Sequence, residues 1–259
     1  MADLLAAGLW WLHGTRGSNV YLVEADDGQL ALVDTGFASS AGAILEEVTA
    51  HGGRLSAILL THMHRDHSGA ADEVRQATGA RVCIGRGDCF ERDGQAFLHT
   101  TVGRSHIGRF LVARVQRSMA ADVPVDVCIE GETEVLPGIR AVPVPGHTPG
   151  SYCFVVDRLG AALVGDLMIS HGGELTRSLR LANHDDEQYL ESIRQFGAVA
   201  PEAGLPGHGV PVMTGFGDAL RELAVLPRRR TGIRTTAERA VRMSRFGRQL
   251  SRKRTRPEP

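Results

Sequence analysis

Three histidines and an aspartate lie within six positions in the segment THMHRDHSGA, residues 61–70. They are His62, His64, Asp66 and His67, in a chain that holds only 11 histidines. Imidazole nitrogens and carboxylate oxygens, without thiolates, are ligands that suit Zn²⁺ first, with Fe and Mn as alternatives. The segment therefore predicts a metal site.

The spacing of these ligands indicates two ions rather than one. Side chains at i and i+2 lie on the same side of an extended segment but on opposite sides of a helix. His62 and His64 can therefore bind one ion from extended backbone. Asp66 and His67 follow where the chain turns towards a helix, so they approach from a different direction. Four ligands spread over a bend fit two adjacent ions better than one.

Three further ligand-type residues occupy equivalent positions later in the chain. Each follows an apolar run and a glycine: His147 follows RAVPVPG, Asp166 follows AALVG, and His208 follows AGLPG. Ligands at the ends of neighbouring strands converge in space, and the glycines allow close approach of the backbone. The predicted metal ligands are therefore His62, His64, Asp66, His67, His147, Asp166 and His208, with two Zn ions expected and Fe or Mn as alternatives.

The elements that carry these residues alternate between strand and helix patterns, which predicts an α/β fold with mixed strands. Apolar runs predict strands in residues 18–36 (two strands joined at Asp26-Asp27-Gly28), 55–62, 80–85, 134–147, 150–157 and 160–166. Helices are predicted in residues 39–53, 68–79, with Ser68 as N-cap and Gly79 past its end, and 185–197. Residues 86–122 are poor in strand signals, and we expect them to be helical or irregular, with a helix in 99–119.

The charge distribution predicts two parts. The 259 residues are 42% hydrophobic, enough to bury one large core. Residues 227–259 hold eleven arginines and one lysine against two glutamates, a net charge of +10, so residues 1–226 carry −11 of the total of −1. We therefore predict a folded domain over 1–226 and a basic C-terminal tail over 227–259. In the tail, Met243, Phe246 and Leu250 follow helical spacing among arginines, so it is expected to be flexible or a short amphipathic helix that contacts anionic surfaces.

Cysteine usage and hydropathy bear on the cellular location. The four cysteines are scattered and include no C-x-x-C pair, which predicts neither a disulfide framework nor a thiolate metal site. The N-terminal stretch MADLLAAGLWWLHG carries Asp3 where a secretory signal has basic residues, and no run approaches about 18 apolar residues. We expect a cytoplasmic protein without a transmembrane segment.

The motifs together resemble those of the metallo-β-lactamase-fold hydrolases, which include glyoxalase II-like thioesterases and lactonases. The resemblance covers about residues 18–215 and rests on VDTG with Asp34, the H-x-H-x-D-H of residues 62–67, GHTPGS, VGD and PGHG. It implies a four-layer αβ/βα sandwich of two mixed sheets flanked by helices, with residues 1–226 as the catalytic domain.

The resemblance also assigns the ligands. It implies that His62, His64 and His147 hold the first ion, that Asp66, His67 and His208 hold the second, and that Asp166 bridges them. Asp34 would orient a ligand histidine without binding metal. His171 and His184 lie in the segment after Asp166, where they are candidates for contact with substrate.

The chemistry expected of such a site is hydrolysis of a small acyl substrate. Two cations that share a water lower its pKa towards about 7, so a bridging hydroxide can attack the carbonyl of a thioester, lactone or related ester. Asp66 would act catalytically by moving the proton. No G-x-S-x-G elbow and no convincing Ser-His-Asp set accompany the motifs.

Departures from the family pattern narrow the substrate. Dinuclear β-lactamases lack a bridging carboxylate, so Asp166 argues against β-lactams. Acyl-homoserine lactonases usually carry tyrosine where Ile169 stands, which argues against that subgroup while lactones stay open as substrates. Flavodiiron proteins have glutamate where His64 stands, so His64 argues against them. A mono-iron persulfide dioxygenase-like enzyme shares several ligands and stays open as an alternative. A metal-dependent nuclease is suggested by the basic tail alone, and the acidic body argues against it.

Overall fold

Seventeen strands and five α-helices make up most of the residues that the structure describes. The structure is a computed structural model and describes residues 2–52, 54–99, 122–171 and 174–227. The strands are β1 (Asp3–Ala6), β2 (Leu9–Leu12), β3 (Val20–Glu24), β4 (Leu30–Val33), β5 (Leu55–Leu59), β6 (Arg81–Gly85), β7 (Cys89–Arg92), β8 (Gln95–His99), β9 (Asp122–Val125), β10 (Val127–Ile129), β11 (Thr133–Leu136), β12 (Ile139–Pro143), β13 (Tyr152–Val156), β14 (Ala161–Gly165), β15 (Ile169–His171), β16 (Glu174–Thr176) and β17 (Ala203–Pro206). The helices are α1 (Ala41–Ala50), α2 (Arg65–Ser68), α3 (Ala71–Thr78), α4 (Asp186–Val199) and α5 (Phe216–Val225).

Two mixed sheets form the centre of the fold. The larger has seven strands in the order β1-β2-β3-β4-β5-β6-β10, and the smaller has five in the order β11-β12-β13-β14-β17. In the larger sheet β4, β5, β6 and β10 are parallel, whereas β1 to β4 are antiparallel. In the smaller sheet only β14 and β17 are parallel. The prediction of mixed strands is confirmed.

The inner faces of the two sheets pack against each other. Tyr21 and Leu59 of the larger sheet share one buried cluster with Phe154 and Leu163 of the smaller one. Alternate residues of β5 point the other way, and Ile58 belongs to a second cluster on the outer face. A strand buried on both faces is apolar along its buried positions, which explains the continuous apolar run at residues 57–60.

Helices cover the outer face of each sheet. Ile44 of α1 and Val74 of α3 pack on the seven-stranded sheet. Ile193 of α4 and Leu220 of α5 pack on the five-stranded sheet. The layers therefore run helix, sheet, sheet, helix, as the predicted αβ/βα sandwich requires.

The prediction for residues 86–122 is wrong over its described part. A short 3₁₀ turn, Arg86–Asp88, leads into β7, which pairs with β8, and β8 pairs with β9. The turn between β7 and β8 consists of Asp93 and Gly94, both with positive φ (53° and 77°). An Asp-Gly pair is a strong signal for a two-residue hairpin turn, but the flanking strands are short and carry charged residues, so their sequences lack a clear strand pattern. The helix predicted in 99–119 lies outside the described residues apart from His99, whose backbone ends β8.

Of the two caps predicted for the helix in residues 68–79, one is correct and one is wrong. In α4, Asp185 is the N-cap, because its side chain accepts hydrogen bonds from Glu187 N and Gln188 N. Gly79 ends α3 in the left-handed conformation, as predicted. Ser68 is not the N-cap of that helix: it ends α2, and its hydroxyl donates to the carbonyls of Met63 and His64.

The chain divides into two units, Met1–Ala224 and Val225–Pro259. The amphipathic pattern of the tail falls outside the described residues, so the tail helix and the boundary after residue 226 stay predictions. Among the helices of the described residues, none combines the length and the apolar character needed to cross a bilayer.

Candidate metal centre

The predicted ligands come together at one edge of the two sheets. Because β4 and β5 are parallel, Asp34 and the segment 62–67 follow strands that end at the same edge. β12 and β14 are both antiparallel to β13, and β17 is parallel to β14, so His147, Asp166 and His208 also follow strands that end together. A backbone hydrogen bond of 2.9 Å from Tyr152 N to Thr61 O links the loops of the seven-stranded sheet to those of the five-stranded sheet.

The first ligand group consists of three histidines and one carboxylate. Nε2 of His62 lies 2.9 Å from Nδ1 of His64, which lies 3.0 Å from Nε2 of His147. The same His147 nitrogen is 3.4 Å from Oδ2 of Asp166. The three histidine side chains are buried. Their nitrogens converge on a single point, which is the arrangement that a tetrahedral Zn²⁺ site needs.

The second ligand group consists of Asp66, His67 and His208. Nε2 of His208 lies 3.3 Å from Nε2 of His67 and 3.3 Å from Oδ2 of Asp66. The side chain of His67 is fully buried, whereas that of Asp66 is 33% exposed. Asp66 is therefore the ligand-type residue of this group that faces solvent most.

Asp166 lies between the two groups. Its Oδ2 faces His147, whereas its Oδ1 lies 3.4 Å from Nε2 of His67 and 3.5 Å from Nε2 of His208. Oδ1 is buried and accepts no hydrogen bond within the described part of the chain. The two imidazole nitrogens lie at ion-pair distance but donate no hydrogen bond to it, and a buried charge normally has hydrogen bonds or a bound metal. This orphaned atom fits a cation, and the carboxylate has one oxygen for each group.

Asp34 contacts His67 through the ring nitrogen that faces away from the cluster. Its Oδ2 lies 2.8 Å from Nδ1 of His67, and its Oδ1 accepts a hydrogen bond of 2.9 Å from the backbone N–H of Thr61. Asp34 has a positive φ of 58°, a conformation that Asp and Asn tolerate better than most residues. The contact directs Nε2 of His67 towards His208 and Asp166, and Asp34 itself lies in neither ligand group.

Asn183 contacts Nδ1 of His147, as Asp34 contacts Nδ1 of His67. No pattern in the sequence indicated this residue. Its Oδ1 lies 3.0 Å from Nδ1 of His147, and it accepts a hydrogen bond from Ser178 Oγ. Its amide nitrogen donates to Asp186 at 2.7 Å. A side-chain amide fixed at both ends selects the Nδ1–H tautomer of His147, which leaves Nε2 free to bind an ion.

Asn19 holds the loop that carries His208. Its side-chain amide donates to the carbonyls of Pro206 at 2.9 Å and Gly209 at 2.7 Å, on either side of the histidine. Between them, Gly207 has no room for a side chain, because a Cβ there would lie 2.5 Å from Cε1 of His67 and 3.0 Å from Oδ1 of Asp166. The sequence prediction that a glycine precedes this ligand to allow close approach agrees with this packing.

Electrostatics differ between the two groups. Burial, together with the neighbouring histidines, lowers the pKa of His62 well below its usual value and that of His64 to about 3. Both imidazoles are therefore neutral at neutral pH, as a metal ligand must be.

In the second group, charge pairing outweighs burial. Burial alone would lower the pKa values of His67 and His208, but Asp34 and Asp166 near His67, and Asp166 and Asp66 near His208, raise both. Burial would raise the pKa values of Asp66 and Asp166, but the neighbouring histidines lower both. In the absence of a cation, the carboxylates of Asp66 and Asp166 are therefore ionised, and they pair with the protonated imidazoles of His67 and His208.

The two histidines considered for substrate contact lie near this edge but outside both groups. His171 ends β15 and is exposed, and His184 is exposed while its backbone N–H donates to the carbonyl of His147 at 3.0 Å. Their role in substrate binding stays a prediction.

Comparison with known proteins agrees with the geometry. The family model "Metallo-beta-lactamase superfamily" matches residues 13–208. The probable metallo-hydrolase YflN of Bacillus subtilis is 30% identical over 242 residues, covering 82% of this chain and 89% of that protein. The atrochrysone carboxyl ACP thioesterase AgnL7 of Paecilomyces divaricatus is 28% identical over 231 residues, covering 86% of this chain and 59% of that protein.

A solved structure shows the same fold. The BLEG-1 B3 metallo-beta-lactamase superposes with a TM-score of 0.59 at 22% identity, covering 78% of this chain and 92% of that one. The family match begins directly after β2 and ends at the last ligand-type histidine, and the His/Asp cluster has the donor set that this metal-dependent family requires. The chain therefore belongs to the metallo-β-lactamase superfamily.

Proposed function

We propose that the chain is a dinuclear, zinc-dependent hydrolase of thioesters, lactones or related esters. The observation that carries the proposal is the position of Asp166, whose two oxygens face different ligand groups. A carboxylate placed in this way balances two cations at once, and His/Asp donors without thiolate suit Zn²⁺. The thioesterase named among the relatives supports the choice of an acyl substrate.

In this proposal each group holds one ion. His62, His64 and His147 hold the first ion and Asp66, His67 and His208 the second, with Asp166 bridging. Two such ions, when bound, lower the pKa of water and polarise a carbonyl oxygen. The contribution of the chain is to hold seven donors in place, with Asp34 and Asn183 fixing the tautomers of His67 and His147.

Asp66 is the residue placed to move a proton. It is the most exposed of the ligand-type carboxylates, and its Oδ2 lies at the edge of the second group. Because the neighbouring histidines hold its pKa below the usual range, it is deprotonated at neutral pH, so the protonated form that could act as a general acid is scarce. A site with a weak general acid favours leaving groups that depart without strong protonation, as thiolates and activated alkoxides do.

The charge of the body bears on the other substrates. Residues 1–226 carry a net charge of −11, which repels a polyanionic nucleic acid from the site. Amides require protonation of the departing nitrogen, and Asp66 supplies little of it. Thioesters and lactones are therefore the substrates that this arrangement serves best.

The test is a panel of initial rates on a thioester, a lactone, a β-lactam and a phosphodiester, with one preparation of measured metal content and its chelated form as control. We expect kcat/KM for the thioester or lactone to exceed the values for the other two by at least about 10²-fold, roughly 2.7 kcal/mol in transition-state binding. A preference for the β-lactam or the phosphodiester would refute the proposal. Inactivity on all four substrates with one bound iron per chain would favour the mono-iron persulfide dioxygenase alternative.

A further inference from the structure

A buried carboxylate outside both ligand groups joins two of the loops that carry them. Asp88 ends the 3₁₀ turn Arg86–Asp88 after β6 and is only 4% exposed. Its Oδ2 accepts hydrogen bonds from the backbone N–H of Met63 at 2.9 Å and from Thr148 Oγ1 at 2.7 Å. Its Oδ1 accepts one from the backbone N–H of Gly150 at 2.8 Å.

The three donors flank ligands of the first group. Met63 lies between His62 and His64, and Thr148 directly follows His147. The segment with Met63 follows a strand of the seven-stranded sheet, whereas Thr148 and Gly150 precede β13 of the five-stranded sheet. A single carboxylate therefore sets the distance between the backbones that supply all three histidines of the first group.

Close packing holds the turn that carries Asp88 against the segment 147–150. A Cβ added at Gly87 would lie 2.6 Å from the carbonyl oxygen of Pro149 and 2.8 Å from Gly150 N, so the turn contacts that loop through its backbone. Neither backbone can shift without breaking contacts of Asp88. The turn and the segment 147–150 are consequently held together by both packing and hydrogen bonds.

We propose that Asp88 is a positioning residue for the first metal ion, acting through the backbones next to His62, His64 and His147. The inference rests on the proposed function, since it assumes an ion bound by those histidines. Of the hydrogen bonds found for its side chain, none reaches Asp66, His67 or His208. The second ion serves as the internal reference, because the contacts of Asp88 are made next to the histidines of the first group.

The variant that tests the inference is Asp88→Asn. The shape is kept, but an amide nitrogen cannot accept a hydrogen bond, so either Met63 N–H or Gly150 N–H loses its acceptor whichever way the amide is turned. Losing a residue that orients metal ligands typically costs 10- to 100-fold in metal affinity. We expect a loss of about that size for the first ion and an unchanged affinity for the second.

The matched control is Asp126→Asn. Asp126 also accepts a backbone hydrogen bond, from Val82 N at 2.9 Å, and pairs with Arg75 at 3.1 Å, but these partners lie outside the ligand loops. The measurement is zinc affinity by competition with a chelator, together with the visible absorption of the Co²⁺-substituted proteins, which reports the ligand geometry of each ion. The control should keep both affinities and the wild-type Co²⁺ spectrum, even where its melting temperature falls.

Different results overturn different claims. If the wild type binds two ions and Asp88→Asn binds both as tightly with an unchanged Co²⁺ spectrum, the inference is wrong and the proposed function stands. Equal weakening of both ions would also overturn it, because that indicates a general structural role. A wild type that binds no divalent ion would overturn the proposed function as well. If Asp88→Asn does not fold, Thr148→Val removes one of the three hydrogen bonds and should weaken the first ion selectively, and no weakening there would be decisive against the inference.

Discussion

Replacing Asp34 by asparagine should weaken the binding of the second metal ion while leaving the backbone intact. Asp34 accepts from Thr61 N–H through one oxygen and faces Nδ1 of His67 with the other. In Asp34→Asn, the amide oxygen can serve only one of these groups. If it serves Thr61, the amide nitrogen faces His67 and donates to Nδ1, which forces the ring proton onto Nε2 and blocks that nitrogen as a ligand.

The magnitude follows from the contacts that are lost. A hydrogen bond to a charged group contributes about 1.5–3 kcal/mol. Mutating a partner that orients a metal ligand typically costs 10- to 100-fold in affinity, and since a factor of ten is about 1.4 kcal/mol, this is roughly 1.4–2.8 kcal/mol. The two estimates agree, so we expect the affinity for the second ion to fall by one to two orders of magnitude. The positive φ of Asp34 is compatible with asparagine, so backbone strain adds little to the effect.

The assay is chelator competition with metal content measured per chain, with the first ion as the reference. Asp93→Asn is the matched control, because Asp93 also has a positive φ, 53°, but lies exposed in the turn between β7 and β8. The control should bind both ions as the wild type does. If Asp34→Asn retains two ions with unchanged affinities, the assignment of Asp34 as the residue that orients His67 is wrong.

Three further predictions follow from the site and the tail. Asp166→Asn should keep the fold but lose the second ion and most activity, because a neutral amide cannot balance two cations, and full activity with two ions would contradict the bridging role. On acidification the second ion should leave first. The pKa values of His67 and His208 are raised, so protons compete for their nitrogens at a higher pH than at His64, whose pKa is lowered to about 3. The measurement is metal content against pH, and loss of the first ion before the second would contradict the prediction. A chain truncated after Leu226 should keep its metals and its turnover of small substrates, whereas loss of metal on truncation would show that the basic tail belongs to the domain.

The positions of the ligands could be predicted because each one has a local sequence signature. An apolar strand, often a glycine, and then a polar residue such as His147 or His208 is a pattern of a few consecutive positions. Strands that end at one edge bring such residues together, so the local pattern was sufficient to find the cluster. Asp34, directly after β4, was identified through the VDTG motif of the family resemblance.

The residues that orient the ligands could not be found in this way. Asn183 contacts a histidine 36 positions away, Asn19 bonds to carbonyls 187 and 190 positions away, and Asp88 contacts Thr148 across 60 positions. Each is a single polar residue in a loop or at the end of a turn, without a run or a period around it. For Asn19 and Asp88, the docking of the two sheets decides which distant group each one meets. For Asn183, the packing of the loop before α4 decides it. No short segment of the sequence specifies either arrangement.

The position of the first ligand group across both sheets has a consequence for folding. His62 and His64 follow a strand of one sheet, whereas His147 and Asp166 follow strands of the other. An ion held by all four can bind tightly only after the two halves have docked, so it acts as a reversible cross-link that closes a loop of some eighty residues, with His64 and His147 83 positions apart. By mass action, an ion at a hundred times its dissociation constant adds about 2.7 kcal/mol to the folded state. The supply of metal would thus affect the free energy of unfolding of the chain as well as its rate of substrate turnover.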